Sequence, residues 1–281
     1  MTTTVDRYAV FGQPIAHSKS PRIHRLFAEQ TAQPISYTAQ EVFPEQFAAA
    51  VQEFFASGGR GLNCTVPLKE LAWQLADRKT SRAQLSKAVN TLAVEKDGSI
   101  LGENTDGIGL ITDLTHNHGI DLSDRKILVI GAGGASRGII APLLDKSPKH
   151  LVIVNRTVAK ARQIADEFQH LGPVSACGFG ELPSQRFDLI INATSTSLSN
   201  QLPPLPDGLL TGTGCCYDLA YGNAPTTFVL WARKQHARQS LDGLGMLVEQ
   251  AAEAFYLWRG VRPDTGPVIE LLNSERKSGA R

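Results

Sequence analysis

Two groups of residues in this sequence combine side-chain types and spacings that chemistry uses. The first is Gly131-Ala132-Gly133-Gly134-Ala135-Ser136, which follows the apolar run Lys126 to Ile130 and precedes the helix-like stretch RGIIAPLLD from Arg137. Glycines between a strand and a helix let the backbone approach a ligand closely, and the helix N-terminus offers unpaired N–H groups to a pyrophosphate. This context favours a dinucleotide-binding turn over a tight turn with no ligand. The third position of the motif is Ser136 rather than glycine or alanine, a side chain small enough to be accommodated. At the end of the next apolar run, where an NAD site places a carboxylate on the ribose 2′-hydroxyl, stands Asn155-Arg156-Thr157. A guanidinium pairs with a 2′-phosphate and stacks on adenine, Lys160 adds charge one turn on, and no carboxylate is there to repel a phosphate. NADP is therefore the expected cofactor. An isolated arginine would read as a solvated loop residue; its offset from the glycine loop argues otherwise.

The second group follows from the first. Hydride delivered from a nicotinamide to a ketone leaves an alkoxide that needs a proton, so without a metal the protein must supply an acid/base. TVPLK, Thr65 to Lys69, places a lysine just inside a helix that follows a strand, and ENTDG, Glu103 to Gly107, places Asp106 at the end of a hairpin. An aspartate beside a lysine keeps the ammonium aimed at a substrate oxygen. Taken alone, each is as readily a surface charge.

These residues need elements to hold them. RYAVFG, Arg7 to Gly12, reads as a strand, and Ser20-Pro21 opens a helix with Ile23, Leu26 and Phe27 on one face. A second helix runs from about Pro44, with Phe47, Val51, Phe54 and Phe55 in helical spacing, to Gly58-Gly59. Gly61 to Val66 reads as a strand feeding a helix that starts at Pro67, and Thr91 to Asn104 as a hairpin turning at Asp97-Gly98. Beyond Asp106 the runs Lys126 to Gly131, His150 to Asn155, Phe187 to Ala193 and Cys215 to Ala220 predict parallel strands covered on both faces. Ser195 to Gly214, with three prolines, reads as loop, and helices are expected at about Met246 to Trp258 and Val268 to Glu275.

Composition narrows the function further. A chain of 281 residues, 42% of them hydrophobic, is long enough for two ordinary domains. With 28 basic and 27 acidic residues there is no charge surplus to drive binding to nucleic acid or a membrane surface, so the expected partner is a small molecule. The four cysteines, Cys64, Cys177, Cys215 and Cys216, show neither a disulfide pattern nor metal-ligand spacing; no metal site is expected. The polar start, Met1 to Tyr8, and the lack of a long apolar stretch point to the cytoplasm. A homodimer is compatible with the sequence but is not read from it.

In chain order, FGQPIAHSKSPRIH (Phe11 to His24), GLNCTVPLKE (Gly61 to Glu70), AVNTL (Ala88 to Leu92), GENTDGIGL (Gly102 to Leu110), the glycine loop, Asn155-Arg156-Thr157, INATS (Ile191 to Ser195) and DGLGMLVEQAAEAF (Asp242 to Phe255) form a specific set. Together they resemble the shikimate dehydrogenase family over almost the whole chain. The resemblance implies NADP-linked interconversion of 3-dehydroshikimate and shikimate, the ketone-reduction step of aromatic amino acid (chorismate) biosynthesis. It implies Lys69 and Asp106 as the catalytic pair, Ser18 and Ser20 as hydroxyl partners of the substrate carboxylate, and Thr65, Asn90, Tyr221 and Gln250 as further substrate contacts. On the cofactor side it implies Gly131, Ala132, Gly133, Gly134 and Ala135, then Asn155, Arg156, Thr157 and Lys160. Thr194, Ser195, Leu219, Gly243 and Met246 complete that set.

A substrate with one carboxylate and three hydroxyls suits neutral hydroxyl and amide groups. Ser20 has a competing role as N-cap of the Pro21 helix, Gln250 could face solvent, and His17 and His24 are given no chemistry. Three positions depart from the family pattern: Ser81 stands where many relatives carry a glutamate, Ser197 where a glycine is common, and LAYGNAPTT, Leu219 to Thr227, is a loose match around Tyr221. The fold class implied is α/β. An N-terminal α/β substrate domain, residues 1–106 completed by C-terminal helices at 240–281, would face a Rossmann-like NADP-binding domain, 107–239, across a cleft suited to hinge closure. Two rivals remain: a relative preferring quinate and NAD, against which Arg156 argues, and a noncatalytic sensor, which would have no need of a Lys69–Asp106 relay.

Overall fold

Close contacts group the chain into two units, one of residues up to Gly109 with Leu247–Leu271, the other of Leu110–Met246 with residues from Leu272. The computed structural model describes residues 5–182 and 186–278.

The first unit carries β1 (Asp6–Gly12), α1 (Ser20–Thr31), β2 (Ile35–Glu41), α2 (Phe47–Ala56), β3 (Gly59–Cys64), α3 (Lys69–Leu75), β4 (Arg78–Lys79), α4 (Ser81–Ser86), β5 (Thr91–Val94) and β6 (Ile100–Glu103), and α5 (Asp106–Thr112) starts in it. Its sheet runs β2-β1-β3-β5-β6-β4. The β2-β1-β3 part is parallel, while β5 is antiparallel to both β3 and β6, which confirms the hairpin. Phe11, Leu62 and Leu92 from the strands pack with Phe47, Val51 and Phe54 of α2 and with Leu68. The order 2-1-3 makes the chain leave β1 on one side and return across it to β3, so the loops after these strands diverge.

Local departures from the expected elements have local causes. Pro67 does not start a helix; it lies in a turn closed by the Leu68 N–H donating to the Thr65 carbonyl (2.7 Å), and α3 begins at Lys69. Pro44 opens a single 3₁₀ turn, Pro44–Gln46, ahead of α2. Ser20 is not an N-cap: Lys19 holds that position and Ser20 is the first helical residue.

The second unit carries β7 (Lys126–Ile130), α6 (Gly134–Leu144), β8 (His150–Val154), α7 (Val158–Phe168), β9 (Val174–Cys177), β10 (Phe187–Asn192), β11 (Leu210–Asp218), α8 (Thr227–Lys234) and β12 (Gln239–Asp242). Every pairing is parallel, and the order β12-β11-β10-β7-β8-β9 is, read from the far edge, 3-2-1-4-5-6, the order of a doubly wound dinucleotide-binding sheet. The four apolar runs are its four central strands, nearly every residue buried on both faces. The expected loop from Ser195 to Gly214 is only partly loop: Thr196–Ser199 forms a 3₁₀ turn and β11 starts at Leu210, with a register shift before Cys215. Two further helices, α9 (Leu244–Arg259) and α10 (Gly266–Ser278), follow, each overrunning the expected span at both ends.

In the first unit His24 on α1 is fully buried, its ring stacked on Tyr37 of β2 at 4.1 Å and edge-on to Phe27. Burial pushes its imidazole down from the ordinary 6.5 to about 3, opposed only in part by Asn63. Between those values the unfolded chain holds the proton that the folded chain refuses, so stability is complete above 6.5 and falls as pH drops. From pH 6.5 to 5, before most carboxylates titrate, the unfolding free energy should fall by up to about 1.4 kcal/mol per pH unit on account of this residue. His24→Phe should flatten that slope in urea titrations; an unchanged slope would show that the imidazole is not the group responsible.

Candidate active site

One edge of the first sheet gathers most of the expected residues of that unit. β1 and β3 are parallel and β5 is antiparallel to β3, so the ends of β1, β3 and β6 and the start of β5 all open on the same edge. The loop after β1 carries Ser18, whose Oγ accepts the Ser20 N–H at 3.3 Å. The loop after β3 carries Thr65, tied back by its N–H to the Phe11 carbonyl (2.9 Å), while Gln13 N–H donates to Val66 O (3.0 Å). These loops touch so closely that a Cβ at Gly12 would lie 2.4 Å from the Thr65 methyl, so only glycine fits there.

At the same edge Lys69 Nζ donates to Asp106 Oδ2 at 2.5 Å, with side chains 16% and 7% exposed. Lys69 is the first residue of α3 and Asp106 the first of α5, so each is aimed by the strand before its helix. Asn90, 3% exposed, binds the pair together: the two hydrogens of its Nδ2 are shared among Asp106 Oδ1 (2.8 Å), Thr105 Oγ1 (2.9 Å) and Gln250 Oε1 (3.3 Å). Its Oδ1 accepts the Thr105 N–H and the Thr91 hydroxyl, each at 2.9 Å. The Thr105 N–H can only donate, which fixes the orientation of this amide. Behind it Asn63 Nδ2 donates to Asn90 O (3.1 Å) and Thr91 Oγ1 (3.0 Å), and Asn63 Oδ1 accepts the Tyr37 hydroxyl (2.7 Å). Gln250 on α9 donates its Nε2 to Leu247 O (2.7 Å), so its oxygen is turned toward Asn90 and Thr105. Lys69, Asp106, Asn90 and Gln250 are thus one connected group. An ammonium with three hydrogens, one of them on Asp106, keeps two for an incoming oxygen.

In the second unit the glycine loop joins β7 to α6. Gly131 follows β7 at φ +112°, where a Cβ would press on Thr194 Cγ2 (3.0 Å) and the Ala193 carbonyl (3.1 Å). Gly133 caps α6 without a side-chain hydrogen bond, and a Cβ at Gly133 or Gly134 would meet nothing within 4 Å. Ala132 and Ala135 complete the turn, and Ser136 is fully buried. The switch point of the sheet lies between β7 and β10, so the glycine loop faces Thr194 and Ser195, which follow β10. At the end of β8 Asn155 Nδ2 donates to Thr157 O (3.0 Å), shaping the turn on which Arg156 stands exposed. Neither Arg156 nor the exposed Lys160 has an ion pair recorded among the described residues. Tyr221, half-buried, follows β11 in this unit.

Some working residues were missed in the sequence. Thr105 and Asn63 lie within quoted motifs, but only the strand register shows that they hold Asn90. Tyr217 donates to Asp113 Oδ2 (2.6 Å) and accepts the Met246 N–H (3.3 Å), so it fixes the segment from Gly243 to Met246. Gly243 is obligatory there, since a Cβ would lie 2.2 Å from the Leu219 carbonyl oxygen. Burial raises the thiols of all four cysteines, that of Cys64 to about 12, and none is placed as a nucleophile. Among the described residues no helix is long and apolar enough to cross a membrane.

A parallel sheet in 3-2-1-4-5-6 order with a glycine loop at its switch point, in one chain with a lysine–carboxylate pair at a second sheet edge, defines a dinucleotide-dependent α/β oxidoreductase. Comparison with known proteins narrows the class. Residues 10–92 match the family model described as shikimate dehydrogenase substrate binding domain, 113–200 that described as shikimate / quinate 5-dehydrogenase, and 243–272 the shikimate 5'-dehydrogenase C-terminal domain. The shikimate dehydrogenase (NADP(+)) of Methylococcus capsulatus is 61% identical over 276 residues, covering 98% of this chain and 99% of the relative. Among solved structures, an Ael1 enzyme from Pseudomonas putida superposes with a TM-score of 0.89 at 50% identity, covering 95% of this chain and 98% of that one. Shikimate 5-dehydrogenase from Thermus thermophilus in complex with NADP(H) and shikimate does so with a TM-score of 0.84 at 33% identity, over 95% of this chain and 98% of that one. The chain belongs to the shikimate dehydrogenase family.

Asn90 carries more hydrogen bonds than any other side chain in this group, and its removal leaves the buried Thr105 N–H without its acceptor. Asn90→Ala should lower the unfolding free energy by about 1–3 kcal/mol, read from the urea midpoint at constant slope. A midpoint equal to wild type would mean that the amide is dispensable to the group it joins.

Proposed function

We propose that this protein catalyses the NADP-dependent interconversion of 3-dehydroshikimate and shikimate in the cytoplasm, acting on a small molecule and not on nucleic acid or membrane. The observation that carries the reading is the Lys69–Asp106 pair, oriented by Asn90 at the sheet edge where Ser18, Ser20 and Thr65 also stand. Relatives that share most of this chain's length bear the name shikimate dehydrogenase (NADP(+)), which supports the same substrate and cofactor.

The residues present fit the cofactor. Gly133 and Gly134 leave open the space a Cβ would fill at the start of α6, and Arg156 stands exposed with no ion pair among the described residues. The pyrophosphate would meet Gly131 to Ala135, the 2′-phosphate Asn155, Arg156, Thr157 and Lys160, and the nicotinamide side Thr194, Ser195, Leu219, Gly243 and Met246. When bound, the nicotinamide supplies the hydride. In ketone reduction Lys69 then gives a proton from Nζ to the substrate oxygen that becomes a hydroxyl, and Asp106 holds the ammonium on that line. In the reverse direction Lys69 takes the same proton back. Ser18 and Ser20 bind the substrate carboxylate, while Thr65, Asn90, Gln250 and Tyr221 supply the further substrate contacts, so the ring is oriented by groups that carry no charge of their own.

Lys69→Ala should cost roughly 10²- to 10⁴-fold in kcat with a comparatively small change in KM for shikimate, and Asp106→Asn should likewise cut kcat in a folded protein. Steady-state kinetics with shikimate and NADP decide this, and a rise in KM with kcat within about threefold of wild type would make Lys69 a binding residue only. Running the same assay with quinate and with NAD tests the substrate and cofactor assignments.

Arg156→Asp removes a charge-assisted hydrogen bond to the 2′-phosphate and sets a like charge beside it, a loss of at least about 1.5 kcal/mol. KM for NADP should rise about tenfold or more while KM for NAD stays or falls. If the ratio of kcat/KM for NADP to that for NAD does not drop, the arginine does not read the phosphate.

A further inference from the structure

We infer that Asp218, with Ser197, is a positioning residue for the nicotinamide side of the cofactor site, holding the loops after β10 and β11 in one conformation through a four-donor carboxylate. The inference rests on the NADP reading above and adds to it Asp218, which no sequence motif marks, and Ser197, noted above only as a departure from the family pattern.

Asp218 ends β11 and is fully buried. Its Oδ1 accepts from Asn192 Nδ2 and from the Ala220 N–H, each at 3.1 Å, and its Oδ2 accepts the Ser197 and Thr226 hydroxyls, each at 2.6 Å. Amide and backbone N–H groups can only donate. The hydroxyl protons are directed by their other bonds: Thr226 Oγ1 already accepts the Val229 N–H (3.2 Å), and Ser197 Oγ accepts from Asn192 Nδ2 (3.2 Å). All four acceptor positions of an ionised carboxylate are therefore used, and no neutral isostere could take the same four donors. Burial raises this carboxyl above the ordinary carboxylate range, and the four donors offset part of that rise.

Those bonds lead to the expected cofactor positions. Asn192 Oδ1 accepts the Thr194 hydroxyl (2.7 Å) and the Thr194 N–H (3.2 Å), and the Thr194 and Thr196 hydroxyls lie 2.7 Å apart. On the other loop the Leu219 N–H donates to Asn192 O (2.9 Å), and the Gly243 N–H donates to Ala220 O (3.1 Å). Thr194, Leu219 and Gly243 are thus placed by a network whose one charge among the described residues is Asp218. Ser197 gives it a hydroxyl that a glycine at this position would lack.

The test is calorimetric titration of the full-length protein with NADP, run beside steady-state kinetics. Ser197→Ala and Ser197→Gly should weaken NADP binding by about threefold or more, and Asp218→Asn by about tenfold or more, with KM for shikimate within about twofold of wild type. Ser197→Thr keeps the hydroxyl and should bind NADP more tightly than Ser197→Ala. Phe168→Leu, a core change on α7 outside the network, gives the effect of destabilisation alone. If the Ser197 variants lose melting temperature but keep the wild-type Kd for NADP, or change it no more than Phe168→Leu does, the positioning role is overturned. Should Asp218→Asn fail to fold, the three Ser197 variants decide. Wild-type protein that binds no NADP would instead overturn the cofactor reading, and this inference with it.

Discussion

The first unit is arranged around a charge pair that is mostly out of water. Bringing the Lys69 ammonium and the Asp106 carboxylate to 2.5 Å with side chains 16% and 7% exposed costs several kcal/mol of hydration per ion, which their attraction offsets only if the geometry is good and the remaining acceptors are satisfied. Asn90 satisfies the second carboxylate oxygen, and Thr105, Thr91 and Asn63 hold Asn90. The network ends at Tyr37, whose ring carries the stacked His24, so the apolar packing of α1 and β2 bears on the charge pair through a continuous path of contacts. Each link is a buried polar group that would be expensive to leave unpaired, and this makes the arrangement stiff.

Both units solve the problem of placing polar groups in the same way. In a parallel sheet the loops after neighbouring strands separate where the winding direction changes, and a shallow crevice opens at the carboxyl ends. In the first sheet that point lies between β1 and β3, and Ser18, Ser20, Thr65 and Lys69 follow those two strands. In the second it lies between β7 and β10, where the glycine loop and the Thr194–Ser195 turn begin. The second unit has its own buried charge in Asp218, which is satisfied by four donors and no cation among the described residues. One carboxylate is thus spent on holding an ammonium, the other on holding backbone.

Elements were legible in the sequence in proportion to their burial. The four central strands of the second sheet are continuous apolar runs because both faces are covered, and the amphipathic stripes of α1 and α2 are as plain. The strands β2, β9 and β12 left no comparable signal. ISYTAQE alternates Ile35, Tyr37 and Ala39 with polar residues, but most of it is exposed and it lies at a sheet edge, so its signal is weaker than a continuous apolar run and its register comes from pairing with β1. The start of β11 at Leu210 was hidden by the prolines and glycines around it, and it pairs out of register with the rest of that strand.

Ionic chemistry divides along the same line. A glycine loop between strand and helix, an arginine where an acid would stand, a lysine just inside a helix and an aspartate at the end of a hairpin are local facts, and residue types at short spacings were enough to read them. Ser20 shows the limit of that reading, since a serine before proline suggested a cap, whereas the backbone puts the cap one residue earlier and turns the Ser18 hydroxyl to the Ser20 N–H. Only the tertiary structure decided that residues as distant as Lys69, Asn90, Asp106 and Gln250 share one network, or that Ser197 and Thr226 donate to a single carboxylate. The physical reason is that hydrogen bonds of this kind depend on positions within a few tenths of an ångström, and those positions are set by strand register and packing, which no spacing along the chain encodes.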